Sequence, residues 1–300
     1  DVQTAIGDYE PHDVVGMAPQ GRVSDAEIEA AAKLINAAEK PYIYIGGGAA
    51  GEGMADIICA LAEKIDGYVG CTFMGLSCLP CSYERYLGME GMHGHYASSM
   101  ANKDADLVIG VGVRFSDRAT GNTAKYCPNA KIIQLDTDLS EINKNIKVDA
   151  GLIGDIVDSF ARLLDKCEKK QHPEWRAHIE ALRAEENAII AKTEEKANGA
   201  MTPKKIFDVI NEVKDRDTII ATDVGQHQMW AAQYTDFERV RRFASSGGLG
   251  TMGYGLGAAI GAAVATGDRT VLITGDGSFG MNLNELATAV TYNTPVVIVL

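Results

Sequence analysis

The chain holds 300 residues, 46% of them hydrophobic and 23% charged, with a formal net charge of −13. That length and balance describe an ordinary globular protein of about two domains, with enough apolar residues for sizeable cores. The acidic excess excludes a surface built to neutralise nucleic-acid phosphates, and no apolar run reaches the ~18 residues of a membrane span.

The nearest approach to a span, Met252 to Thr266, is short and rich in Gly and Ala. Its Gly253, Gly257 and Gly261 imitate a membrane dimer face, yet read here as a helix packed closely inside a soluble core. Asp1 rather than Met opens the sequence, no charged and apolar leader follows, and the end falls inside an apolar strand. The expectation is therefore a cytoplasmic piece of a longer polypeptide. Of the scattered cysteines only Cys78-Leu-Pro-Cys81 has a metal or redox spacing, and one such pair without a second reads as reduced thiols.

In chain order, residues 1–23 read as a linker. Ser24 offers an N-cap, with Glu27 completing a capping box, for a helix through about Ala38. Pro41 to Ile45 reads as a strand, followed by a glycine run and a helix from about Glu52 to Ile65. Short apolar strands follow at Tyr68 to Phe73, Asp106 to Val111 and Lys131 to Leu135, with a closing helix from Leu152 to Cys167. Residues 168–200 are charged and helix-favouring without apolar periodicity, a linker composition. Beyond them the alternation resumes: a helix over 203–214, a strand over 218–222, a helix from about His227, and the glycine-rich 247–261. A strand over 271–274, a helix over 282–293 and the apolar Pro295 to Leu300 complete it. Alternating strands and helices predict α/β folding on doubly wound parallel sheets, with a first unit over 24–167 and a second, partial one over 201–300.

The chemistry is expected at strand ends, where open α/β sheets bind ligands. Gly46-Gly47-Gly48-Ala-Ala-Gly51 fits a phosphate-cradling GxGxxG between strand and helix, although no acidic residue follows at dinucleotide spacing. A glycine-rich turn without a ligand remains the alternative. Arg114 and Arg118 lie just past the 106–111 strand, where guanidinium groups can grip a diphosphate. His93 and His95 lack nearby carboxylates or thiols and read as structural. In the second half, Asp223 to Gln228, the 247–261 loop and Gly275-Asp276-Gly277-Ser278 can surround one polyanion. Asp276 suits Mg2+, with the N–H groups of Gly277 and Ser278 facing phosphates.

These stretches resemble a known family. "GDGSFGMNLNEL" before an apolar strand resembles the first half of the thiamine-diphosphate motif, which ends in paired asparagines. "TDVGQHQMWAAQ" and "SSGGLGTMGYGLGAAIGA" resemble, more narrowly, the acetolactate synthase family. "GMHG" and "GVRFSDRATGN" resemble the FAD-type central domain of the same family. The resemblance implies an enzyme of the transferase class that decarboxylates pyruvate and joins the two-carbon unit to a second 2-keto acid. It implies thiamine diphosphate, Mg2+ and FAD as cofactors, a homodimer or homotetramer, and a possible small regulatory subunit. For thiamine diphosphate it implies Val224, Gly225, Gln226, His227, Gly250, Met252, Asp276, Gly277 and Ser278, with Asp276 also on the metal. For FAD it implies Gly46, Gly47, Gly48, Met92, His93, Arg114, Arg118, Asp136 and Asp155. The family's activating glutamate belongs to an N-terminal domain absent from this sequence, so the piece is expected to be inactive alone. It is also expected to bind thiamine diphosphate weakly or not at all. Ser116, Gly257 and His95 depart from the family pattern, where an Asp, a Pro and a small residue are usual. Two rival classes stay open: another thiamine-diphosphate carboligase or decarboxylase, and a nucleotide-binding oxidoreductase or non-catalytic assembly fragment.

Overall fold

Ser24 caps the first helix with the expected box: its hydroxyl accepts the Glu27 N–H, and the Glu27 carboxylate accepts the Ser24 N–H at 2.9 Å. The computed structural model describes Ile6 and residues 21–300, so most of the expected 1–23 linker lies outside the described residues. The first half comprises α1 (Asp25–Ala37), β1 (Pro41–Ile45), α2 (Met54–Lys64), β2 (Tyr68–Cys71), β3 (Tyr86–Met89) and α3 (Tyr96–Asp104). It continues through β4 (Leu107–Val111), α4 (Asp117–Thr120), β5 (Lys131–Asp136), β6 (Ala150–Ile153) and α5 (Ile156–Lys166). After α6 (Pro173–Lys196) and α7 (Pro203–Val213) come β7 (Ile219–Thr222), α8 (Gln226–Tyr234), β8 (Phe243–Ser245) and α9 (Tyr254–Thr266). The chain ends with β9 (Thr270–Ile273), α10 (Asp276–Asn282), α11 (Leu286–Thr291) and β10 (Val296–Val299).

Two wholly parallel sheets result, ordered β3-β2-β1-β4-β5-β6 and β10-β9-β7-β8. Strands β1 and β4 are buried at every position, as continuous apolar runs covered on both faces should be. Each sheet reverses its winding once, between β1 and β4 in the first and between β7 and β9 in the second. Such switch points open a crevice at the carboxyl ends of the strands.

The expected elements shift in three places. A strand, β6, occupies 150–153, where the sequence predicts the start of the Leu152–Cys167 helix. Asp155 then caps α5 by accepting the Asp158 N–H at 3.0 Å. Helix starts at Asp276 rather than 282 and is interrupted by a 3-10 turn at Leu283–Glu285. The 168–200 segment is mostly α6, whose Trp175, Ile179 and Leu182 are buried against the outer face of the first sheet and α3. Asp66 anchors its start, accepting the His172 N–H at 2.6 Å and pairing with Arg176 and Arg85.

In α9 the packed face is Leu256, Ala259, Ile260 and Ala263, while Gly257 and Gly261 face open space. The helix is packed closely, as expected, but through Gly255, the alanines and the branched residues rather than through Gly257 and Gly261. Among the described residues no helix is long and apolar enough to cross a membrane.

The sheets meet through Phe73, Phe237 and Phe243, with ring centroids 5.3 Å apart for Phe73–Phe243 and 5.5 Å for Phe237–Phe243. Two hydrogen bonds reinforce that junction: Cys81 N–H donates to the Phe237 carbonyl at 2.7 Å, and the Gln233 amide donates to the His93 carbonyl at 2.7 Å. The Cys78–Cys81 pair is therefore part of a packed seam. Burial pushes the two thiols up to about 12 and about 11, so neither is a ready thiolate.

Candidate cofactor site

The second switch point gathers the nine thiamine-side residues on neighbouring loops and on the first turns of α8 and α10. Ser278 is buried, and its hydroxyl donates to the Val224 carbonyl at 3.2 Å, tying the loop after β9 to the loop after β7. A Cβ on Gly275 would lie 3.1 Å from the His227 ring, and one on Gly277 would lie 3.6 Å from the end of Met252. Gly250 takes a left-handed φ of +71°, and a Cβ there would lie 3.9 Å from Val224. Asn282 closes the group by donating to the Gly253 carbonyl at 2.6 Å.

Within this convergence the His227 Nε2 atom is buried and has no hydrogen-bond partner, an arrangement that invites a polar ligand. Burial lowers the pKa of that imidazole, with the nearby Asp223 opposing, so the ring is held neutral. Gly225 and Gln226 stand exposed at the start of α8. Asp276 stands exposed at the start of α10. Among the described residues no group of three or more His, Cys, Asp or Glu side chains is gathered for a metal. Asp276 thus offers one carboxylate, which fits an ion that takes its remaining oxygens from a phosphate-bearing ligand and water.

The flavin-side residues divide. A cleft of about 770 Å3 runs between the two sheets, lined in part by Gly47, Met92, His93, Arg114 and Arg118 from one side and Val224, Gly225 and Gln226 from the other. Met92 and Arg118 form one wall: the Met92 N–H donates to the Arg118 carbonyl at 3.0 Å. Gly46 and Gly48 do not line the cleft. They lie against Gly112, where a Cβ on Gly46 would be 2.1 Å from the Gly112 oxygen. Asp136 is buried and accepts the Asp138 N–H at 3.0 Å, and Asp155 serves as the α5 cap. Neither reaches the lining. Two arginines are at the wall of this cleft, as are five of the nine residues that the resemblance assigns to FAD.

Sequence reasoning passed over Glu90. It lies between glycines in "LGMEGMHG", a context that reads as an exposed turn. Instead its side chain is buried beside the cleft and accepts from Tyr42 at 3.1 Å, Asn102 at 2.8 Å and Tyr126 at 3.4 Å. Burial without a cation pushes its carboxyl up to about 8.

Two family models match the chain. Residues 28–163 match the family model described as thiamine pyrophosphate enzyme, central domain, and residues 223–300 match thiamine pyrophosphate enzyme, C-terminal TPP binding domain. The acetolactate synthase isozyme 1 large subunit of Escherichia coli is 42% identical over 96% of this chain and 51% of its own length. The isozyme 3 large subunit of the same organism is 39% identical over 91% of this chain and 48% of its own length. The probable acetolactate synthase large subunit of Methanocaldococcus jannaschii is 40% identical over 95% of this chain and 49% of its own length. The chain spans about half the length of the curated relatives it matches. It belongs to the thiamine pyrophosphate enzyme family and, within that family, is similar to acetolactate synthase large subunits.

Proposed function

We propose that this polypeptide provides the central and diphosphate-binding portions of an acetolactate synthase large subunit. The proposed reaction decarboxylates pyruvate and joins the two-carbon unit to a second 2-keto acid in branched-chain amino-acid biosynthesis. The observation that carries this reading is the convergence at the second switch point around the partnerless His227 Nε2. Thiamine diphosphate, when bound, supplies the carbanion chemistry that a protein side chain cannot.

This chain's own residues would bind and orient that group. His227 would turn its unpartnered Nε2 toward the diphosphate group, and the Gly277 backbone leaves room for close approach. Met252 lies against Gly277 and presents an apolar surface to the rest of the cofactor. Asp276 would ligate Mg2+, and Ser278 would contribute its backbone N–H, since its hydroxyl already serves Val224.

FAD belongs to the same proposal, in the cleft walled by Met92, His93, Arg114 and Arg118. So do a homodimeric or homotetrameric assembly, a small regulatory subunit and a cytoplasmic location. The test is calorimetric titration of the entire gene product with thiamine diphosphate and Mg2+, followed by assay of CO2 release from pyruvate. Saturable, Mg2+-dependent binding with 2-acetolactate formed is expected. Absence of binding in the entire gene product sinks the reading. Visible absorbance of a copurified flavin decides the FAD assignment separately.

A further inference from the structure

Asp223 immediately follows β7 and is fully buried, with no cation paired to it among the described residues. A buried carboxylate in that position is costly unless its lone pairs are engaged. Its Oδ1 accepts the Gly255 N–H at 2.9 Å, and its Oδ2 accepts the Thr274 hydroxyl at 2.8 Å. These partners lie on different loops. Gly255 is in the first turn of α9, where N–H groups lack intrahelical acceptors. Thr274 follows β9 and immediately precedes Gly275 and Asp276. The Asp223 backbone N–H adds a third tie, donating to the Ile273 carbonyl at 3.1 Å.

The fit is close on every side. A Cβ on Gly255 would lie 2.8 Å from Asp223 Oδ2 and 2.7 Å from Leu272, so glycine alone lets α9 approach the carboxylate. Holding the α9 start and the β9 exit to one side chain also holds the segments attached to them. Met252 meets Gly277 and His227 meets Gly275 only while those two segments keep this spacing.

We propose that Asp223 is a positioning residue: one buried carboxylate that holds the three site loops in register for a diphosphate ligand. The inference rests on the thiamine-diphosphate reading for its ligand, though not for the carboxylate's grip on the two loops. In Asp223→Asn, one of the two donors meets an amide N–H2 rather than a lone pair. In Thr274→Val the hydroxyl is lost at nearly constant volume, whereas Thr274→Ser keeps it.

The test uses the entire gene product and two readouts. First, amide hydrogen exchange is followed over 253–256 and 274–278 without ligand. Second, thiamine diphosphate affinity is titrated with Mg2+. Asp223→Asn and Thr274→Val are expected to exchange at least several-fold faster in both segments. They should bind on the order of tenfold more weakly, the scale of one lost charge-assisted hydrogen bond. Thr274→Ser should match the parent in both readouts and in thermal midpoint, whereas Thr274→Val should melt lower, because the buried carboxylate loses a donor. Unchanged exchange in Thr274→Val overturns the grip, whatever the ligand. Faster exchange with undiminished affinity overturns the positioning role. If the parent binds no thiamine diphosphate, both the role and the thiamine reading fall, while the exchange result still judges the grip.

Discussion

The two switch points carry similar glycine-rich sequences and use them in opposite ways. After β1, Gly46 and Gly48 press against Gly112 at the end of β4, and a side chain on any of the three would strike backbone. After β7 and β9, the glycines surround a histidine and leave an unpartnered ring nitrogen among them. The first loop therefore closes the sheet top so that the cleft can form beside it, while the second keeps its backbone and one polar atom free for a ligand. A glycine pattern after a strand specifies close backbone approach. Only the neighbours decide whether another strand's loop or a small molecule does the approaching.

The sharpest way to break this comparison is to add a side chain on each side of it. Gly46→Val should unfold the first half or cost ~3 kcal/mol or more, because the clash at 2.1 Å is with a carbonyl that has nowhere to move. Thermal melting followed by near-ultraviolet circular dichroism checks it, and a midpoint within a degree or two of the parent would show that this loop is as open as the second.

Glu90 tests the same contrast through pH. Its folded carboxyl titrates at about 8, above the unfolded value of about 4.5, so the folded state holds the extra proton between them. The stability that this proton confers is complete below pH ~4.5 and is lost as pH rises through about 8, a change on the order of a few kcal/mol. Glu90→Gln keeps the hydrogen-bonding shape without the charge. It should flatten that decline and raise stability at pH 9 relative to the parent in urea titrations. Parallel declines in parent and variant would mean the carboxylate reaches water.

His227→Ala probes the other loop. Its Nε2 lacks a partner and the side chain is only half-buried, so removal should lower the thermal midpoint little. Cofactor affinity should fall by ~10-fold or more, as expected for a hydrogen bond to a charged group. Calorimetric titration with thiamine diphosphate checks it. A large stability loss with normal affinity would make His227 a core residue.

How much of this was legible in the sequence varies with the physical signal. Strands β1, β4 and β5 announce themselves as apolar runs, and Ser24 with Glu27 announces a helix start, because local chemistry alone determines them. Strand β6 escapes because Ala-Gly-Leu-Ile has weak β propensity and is held by pairing with β5. The inward face of α6 escapes because Trp175, Ile179 and Leu182, although spaced i, i+4 and i+7, occupy only the first half of a long helix dominated by charged residues. At the site, the loops that converge on His227 were readable as motifs. The carboxylates of Asp223 and Glu90 were not, since a charged residue at a strand end gives no sign that it will be buried. Their partners come from segments far away in sequence, such as Thr274 and Tyr42.

The smallest expected effect addresses the outer face of α9. Gly257 lies within the helix, is exposed and has open space where a Cβ would go, whereas Leu256 and Ala259 beside it are packed. A glycine in that setting loses more backbone freedom on folding than alanine does, and no close packing compensates for the loss. Gly257→Ala should therefore stabilise the chain by about 0.5–1 kcal/mol in urea titration, with cofactor affinity unaltered. A loss of stability in the entire gene product would mean that this face is covered in the working assembly. The glycine would then mark close approach by a partner segment, the same use that Gly46 and Gly112 make of glycine in the first half.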